Sequence, residues 1–156
     1  MIQRVQSIYL LLITILMSFL LARPYAELIL KDGNSLVFNT LSIKKYTTSE
    51  NYEKYKKTMP LFLLVVITGA LCFVNIFFFQ KRLLQIRICM ISFILLMIIL
   101  IIMFIYYSSA RNVLDHSLHT FRLAVIFPII AIIMNFLAYR AIHHDEMLVN
   151  SYNRIR

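Results

Sequence analysis

"ICMISFILLMIILIIMFIYY", from Ile88 to Tyr107, decides the fold. Its 20 residues carry no charge and are nearly all Ile, Leu, Met and Phe. About 20 residues rising 1.5 Å each span the roughly 30 Å of bilayer hydrocarbon. Each central Leu, Ile or Phe favours insertion by about 0.3 to 0.6 kcal/mol. Isoleucine is a mediocre helix former in water. In hydrocarbon an unpaired backbone costs far more, so a membrane helix is expected.

Working outward, three further apolar runs follow the same rule: Val5–Ala22, Pro60–Phe79 and Leu123–Tyr139. The chain has 156 residues, 61% hydrophobic and 15% charged, with two glycines and no tryptophan. Soluble domains carry about a quarter charged residues. The expected fold class is an all-α membrane protein: four transmembrane helices in an antiparallel bundle, one membrane domain over 1–156. An outer loop, 23–59, joins the first two spans, and a tail, 140–156, ends the chain. Val5–Ala22 lacks a small-x-small cleavage pattern before Arg23, so it reads as a retained span and not as a signal peptide.

Charge sets the expected threading. Placing both termini inside gives that side seven cations (Arg4, Lys81, Arg82, Arg87, Arg140, Arg154, Arg156) and the other side nine. The raw count does not favour this arrangement, but density does. "QKRLLQIR", Gln80–Arg87, packs three cations against span ends, and tight juxtamembrane clusters weigh most in the positive-inside rule.

In the outer loop, "LILKDGNSLVF" holds Asp32-Gly33 between two apolar runs. Asp-Gly suits a tight hairpin turn. A small extracytoplasmic β-hairpin over about 25–40 is expected, with Ile29 facing Leu36 and Leu28 facing Val37. Two strands alone are marginal, so the hairpin should rest on the helix ends or on the membrane. In "TTSENYEKYKK", Thr47 and Glu50 form a capping box, which predicts a short helix leading to Pro60.

Polar side chains inside the spans are few. Asn75 and Asn135 each lie five residues before the polar exit of a span, at Gln80 and Arg140. Gln6 and Ser92 sit near the same level. An amide facing lipid is costly, so these four should face inward and hydrogen-bond across helices, Asn75 and Asn135 to each other, to Gln6 or to Ser92. They form a structural polar layer or, alternatively, line a transport path. No acidic residue lies within a span, so a carboxylate proton relay is not expected.

Cys72 and Cys89 read as small buried hydrophobes. His116 and His119, spaced i, i+3 beside Asp115, would approach one metal on a helix. A third and fourth ligand are lacking, and no metal is expected. His143 and His144 point about 100° apart on a helix, which is poor for chelation. There is no nucleophile–base pair, no phosphate-binding glycine loop and no CxxC, so neither an enzyme nor a cofactor is expected. The net charge of +9 is divided between two faces and suits anionic headgroups and snorkelling side chains better than nucleic acid.

Three stretches, "MIQRVQSIYLLL" (Met1–Leu12), "QKRLLQIRICM" (Gln80–Met90) and "LAYRAIHHDEMLVNSYNRIR" (Leu137–Arg156), resemble a bacterial family of small integral membrane proteins known only as a domain of unknown function. The resemblance implies four spans in the inner membrane with cytoplasmic termini. It brings no activity, ligand or catalytic residue. In the tail, Leu148, Tyr152 and Ile155 fall at i, i+4, i+7, with Arg154 and Arg156 off that stripe. The tail reads as the solvated end of the fourth helix or, by this stripe, as a segment suited to a docked partner or the inner leaflet. Two readings follow: a non-enzymatic assembly or accessory subunit, whose partner is another membrane protein or a second copy, and a small oligomeric transporter or channel using Asn75 and Asn135.

Overall fold

A computed structural model describes residues 3–30, 35–46, 52–78, 81–113 and 116–154. Four helices make up most of the chain: α1 (Gln3–Ala22), α2 (Met59–Phe77), α3 (Arg82–Val113) and α4 (Ile126–Arg154). Three helical stretches, 59–77, 82–109 and 123–147, are long and apolar enough to cross a membrane, while the apolar portion of α1, 6–22, is shorter. α1 packs on α2 and α4, and α3 packs on the same two helices from the other side.

Each helix buries one stripe, and the stripes share an alternation of four- and three-residue steps, broken only by the last step of α3, Met103 to Tyr107. On α1 it is Gln6, Leu10, Ile13, Met17 and Leu20; on α2 it is Leu61, Val65, Thr68, Cys72 and Asn75. On α3 it runs Gln85, Cys89, Ser92, Leu96, Ile99, Met103 and Tyr107. The stripe of α4, with its lead-in, runs Ala124, Pro128, Ala131, Asn135, Ala138, Ile142 and Asp145. An average of about 3.5 residues per step is the seam of left-handed knobs-into-holes packing. Small residues set close approaches: a Cβ built on Gly69 would lie 3.4 Å from the Met17 Cβ, the kind of contact that draws membrane helices together. The hydroxyls of Thr14, Ser18 and Thr68 bond carbonyls of Leu10, Thr14 and Leu64 one turn back in their own helices, at 3.0, 3.0 and 2.7 Å.

The polar segments between the helices form a five-stranded antiparallel sheet, not the isolated hairpin expected from Asp32-Gly33. Its strands are β1 (Ala26–Leu30), β2 (Ser35–Phe38), β3 (Ser42–Tyr46), β4 (Tyr52–Lys57) and β5 (His116–Phe121), in the order β4-β3-β2-β1-β5. Two further expectations are corrected. The stretch predicted as a short helix is strand β4, which pairs with β3 from Ser42↔Lys57 to Tyr46↔Tyr52. Its capping box, Thr47 and Glu50, lies outside the described residues. The β1–β2 register is Leu28↔Leu36 and Ala26↔Phe38, one residue from the pairing predicted. A one-residue slip swaps the faces of a strand. The observed register gathers Ala26, Leu28, Leu36 and Phe38 on one face, and all four are buried, whereas the predicted register split apolar residues between two faces.

Local bonds fix the sheet to the helix ends. Tyr25 N–H donates to the Phe38 carbonyl at 2.9 Å, and the Tyr25 carbonyl accepts from Arg122 N–H at 3.1 Å. Thr58, just before α2, donates its N–H to the Leu41 carbonyl at 3.1 Å and its Oγ1 to the Thr40 carbonyl at 2.8 Å. The Phe38 ring lies 5.9 Å from Tyr25 and 6.0 Å from Tyr107 of α3. The sheet thus sits where α1 and α3 end and α2 and α4 begin. Burial, with Tyr106 nearby, raises the Tyr25 phenol above its ordinary range, and its hydroxyl has no hydrogen-bond partner among the described residues.

Candidate functional site

The polar side chains of the four stripes collect in the half of the helices away from the sheet. Asn75 and Asn135 are fully buried, but they do not bond each other, Gln6 or Ser92. Both reach α3. Asn75 Nδ2 donates to Cys89 Sγ at 3.2 Å and to the Gln85 carbonyl at 3.4 Å, and Gln85 Nε2 donates back to the Asn75 carbonyl at 3.4 Å. Asn135 Nδ2 donates to the Cys89 carbonyl at 3.0 Å. One turn of α3 is therefore clasped from both sides. α3 lies between α2 and α4, so the two asparagines meet it before they could meet one another.

Gln6 has a different partner from those expected. Its Nε2 donates to an Asp145 carboxylate oxygen across α1 and α4. Asp145, read from sequence as part of a solvated tail, is 7% exposed. Arg82 adds a bond from its guanidinium to the Asp145 carbonyl, at 3.1 Å. These contacts tie α1, α3 and α4 at the end opposite the sheet. Sequence reasoning missed Gln85, Cys89 and Asp145. The signal was present: each lies three or four residues from a polar residue already singled out or from the next step of its own stripe.

Three oxygens of this layer, Asn75 Oδ1, Asn135 Oδ1 and Ser92 Oγ, are buried without a hydrogen-bond partner among the described residues. A crevice of about 250 Å³ reaches this level between α3 and α4, walled by Cys89, Met90, Phe93, Asn135, Phe136 and Tyr139. Met90 and Phe136 are 50% and 56% exposed, so the crevice opens sideways from the helices.

The histidines do not form the helical pair considered from sequence. His116 and His119 lie in strand β5, where both pair with β1, and Asp115 falls outside the described residues. No group of three His, Cys, Asp or Glu among the described residues is placed to hold a metal. The tail continues α4 as helix to Arg154; this carries Leu148 and Tyr152 on helical backbone, with Ile155 and Arg156 outside the described residues.

A family model covers residues 2–155, nearly the whole chain. The chain belongs to the family described as Domain of unknown function (DUF4293). Among curated proteins, none matches it. Membership extends over all four helices and the sheet together, so the layer around Cys89 lies within the family's domain and not in an appended segment.

Proposed function

We propose that the chain is a four-span protein of a bacterial inner membrane, with both termini cytoplasmic and the sheet outside, acting without catalysis as an assembly or accessory subunit. The observation that carries this reading is the fate of the buried amide donors. Those of Gln6, Asn75, Gln85 and Asn135 all end on a neighbouring helix. Groups spent on holding helices together are glue, whereas a transport path needs them turned to water. α1 supports the fourth span: its 20 residues reach about 30 Å at 1.5 Å each. Its outward side chains Leu11, Leu12, Ile15 and Phe19 are exposed and apolar.

Threading is tested by cysteine labelling of intact cells at Ser35 and Asn150, against the low background of buried Cys72 and Cys89. An impermeant reagent should reach position 35 and not 150; the reverse pattern removes the orientation. Crosslinking in native membranes with mass spectrometry tests the role. A recurring partner on the sheet or the tail is expected, and recovery of only scattered abundant proteins rejects an assembly function.

A further inference from the structure

Away from the sheet, α4 turns Phe136, Arg140, His143, His144 and Met147 into a groove of about 740 Å³, with Tyr9 of α1 contributing to its lining. This lies within the roughly 300–1,000 Å³ of small-molecule sites. We propose that the groove binds one anionic phospholipid. Its phosphate would meet Arg140 and the two imidazoles, and an acyl chain would run inward along Phe136. The proposal rests on the membrane reading above.

Position argues for an amphiphile. Arg140 is the first charged residue after the apolar run that ends at Tyr139, so it stands at the hydrocarbon boundary, with Phe136 one turn deeper. Charge argues for an anion. The lining holds one guanidinium, two imidazoles and no carboxylate. Of the two acids that follow on α4, Asp145 is turned inward to Gln6, and the half-buried Glu146 is not part of the lining. Among the described residues Arg140 makes no ion pair, whereas Arg122 beside the sheet is answered by Glu27 at 2.5 and 3.1 Å. His143 is steadied by the Tyr139 ring, 5.9 Å away. Room for a chain is also present, because Phe136 and Tyr139 wall both this groove and the crevice that reaches Asn135.

The test uses the purified full-length protein in detergent, titrated with phosphatidylglycerol, phosphatidylcholine or inorganic phosphate and read by native mass spectrometry and thermal shift. Phosphatidylglycerol should bind about tenfold more tightly than phosphatidylcholine, the effect of one or two juxtamembrane charges. Arg140→Gln alone should remove most of that preference, and adding His143→Gln and His144→Gln the rest. Lys81→Gln with Arg87→Gln, cations at the same end of the molecule, should leave it in place. Equal binding of the two lipids, or equal loss in the Lys81/Arg87 variant, overturns the site. Stabilisation by inorganic phosphate matching that by phosphatidylglycerol assigns the nitrogens to a soluble anion and overturns the lipid. Failure of the native chain to fractionate with membranes would instead remove the earlier reading.

Discussion

At the sheet end the helices meet a packed apolar floor of Tyr25, Leu28, Leu36, Phe38 and Tyr107; at the other end they meet Gln6, Arg82 and Asp145. The first closure depends on shape and area, the second on a few directed bonds. Burial of large side chains is worth more than a hydrogen bond whose partners were already solvated in the unfolded state. The sheet end should therefore anchor the fold, and the polar end should fix which helix faces which.

Breaking the apolar closure should cost most. Phe38→Ala removes a fully buried ring and should destabilise by about 3–5 kcal/mol, read as the thermal midpoint in detergent. A loss comparable to that of the polar variants below would invert the ranking. Next is Asp145→Ala, which leaves the Gln6 amide buried without its acceptor. A cost of about 1–3 kcal/mol is expected. Asp145→Asn keeps an acceptor oxygen and should recover most of it; equal losses for the two variants would show that the Gln6 bond is not what matters there.

In the layer between the ends, Asn75→Leu should cost about 0.6–1.7 kcal/mol, the range measured for hydrogen bonds between membrane helices. Asn135→Leu should cost less, since Asn135 gives up one donated bond and Asn75 gives up two. Double-variant cycles with Cys89→Ala would show coupling for Asn75, whose amide meets the sulfur. Asn135 meets only the Cys89 backbone and should show little.

The smallest effect sharpens the comparison from within the sheet end. Tyr25→Phe removes a buried hydroxyl without a partner and should be neutral or stabilising by up to about 1 kcal/mol near neutral pH. The folded phenol titrates above its ordinary range, while in the unfolded chain it ionises near about 10. Below about pH 10 both states keep the proton and the titration has no effect; above it the unfolded chain ionises first, and native stability falls as pH rises toward the folded value. The variant should therefore lose less stability than the native chain in alkaline melts. A steeper alkaline loss in Tyr25→Phe would reject the burial account.

Much of this was legible in the residues alone. The apolar runs mark the helices, three of them long and apolar enough to cross a membrane, and Ile88–Tyr107 lies wholly inside α3. Asp32-Gly33 announced that β1 and β2 would pair. Asn75 and Asn135 were marked as inward-facing because amides avoid lipid. The partners were not legible. In water, the buried face of a helix is apolar against a polar outside; here Leu11, Ile94 and Phe104 face outward as apolar as Ile13, Leu96 and Ile99 face inward. Hydrophobic periodicity therefore cannot show the seam, and only the occasional Gln, Asn, Ser or Cys on the 4-3 stripe reveals it. Strands β3, β4 and β5 carry many Lys, His and Tyr; β3 and β4 continue the meander from β2, while β5 finds β1 from beyond α3. The register of β1 and β2 was settled by burying Leu28, Leu36 and Phe38 together, a gain that exists only once the helix ends are in place. Sequence determined the solvent each segment seeks; tertiary structure decided which neighbour it finds, because a hydrogen bond or a packed ring needs a second surface that local sequence does not contain.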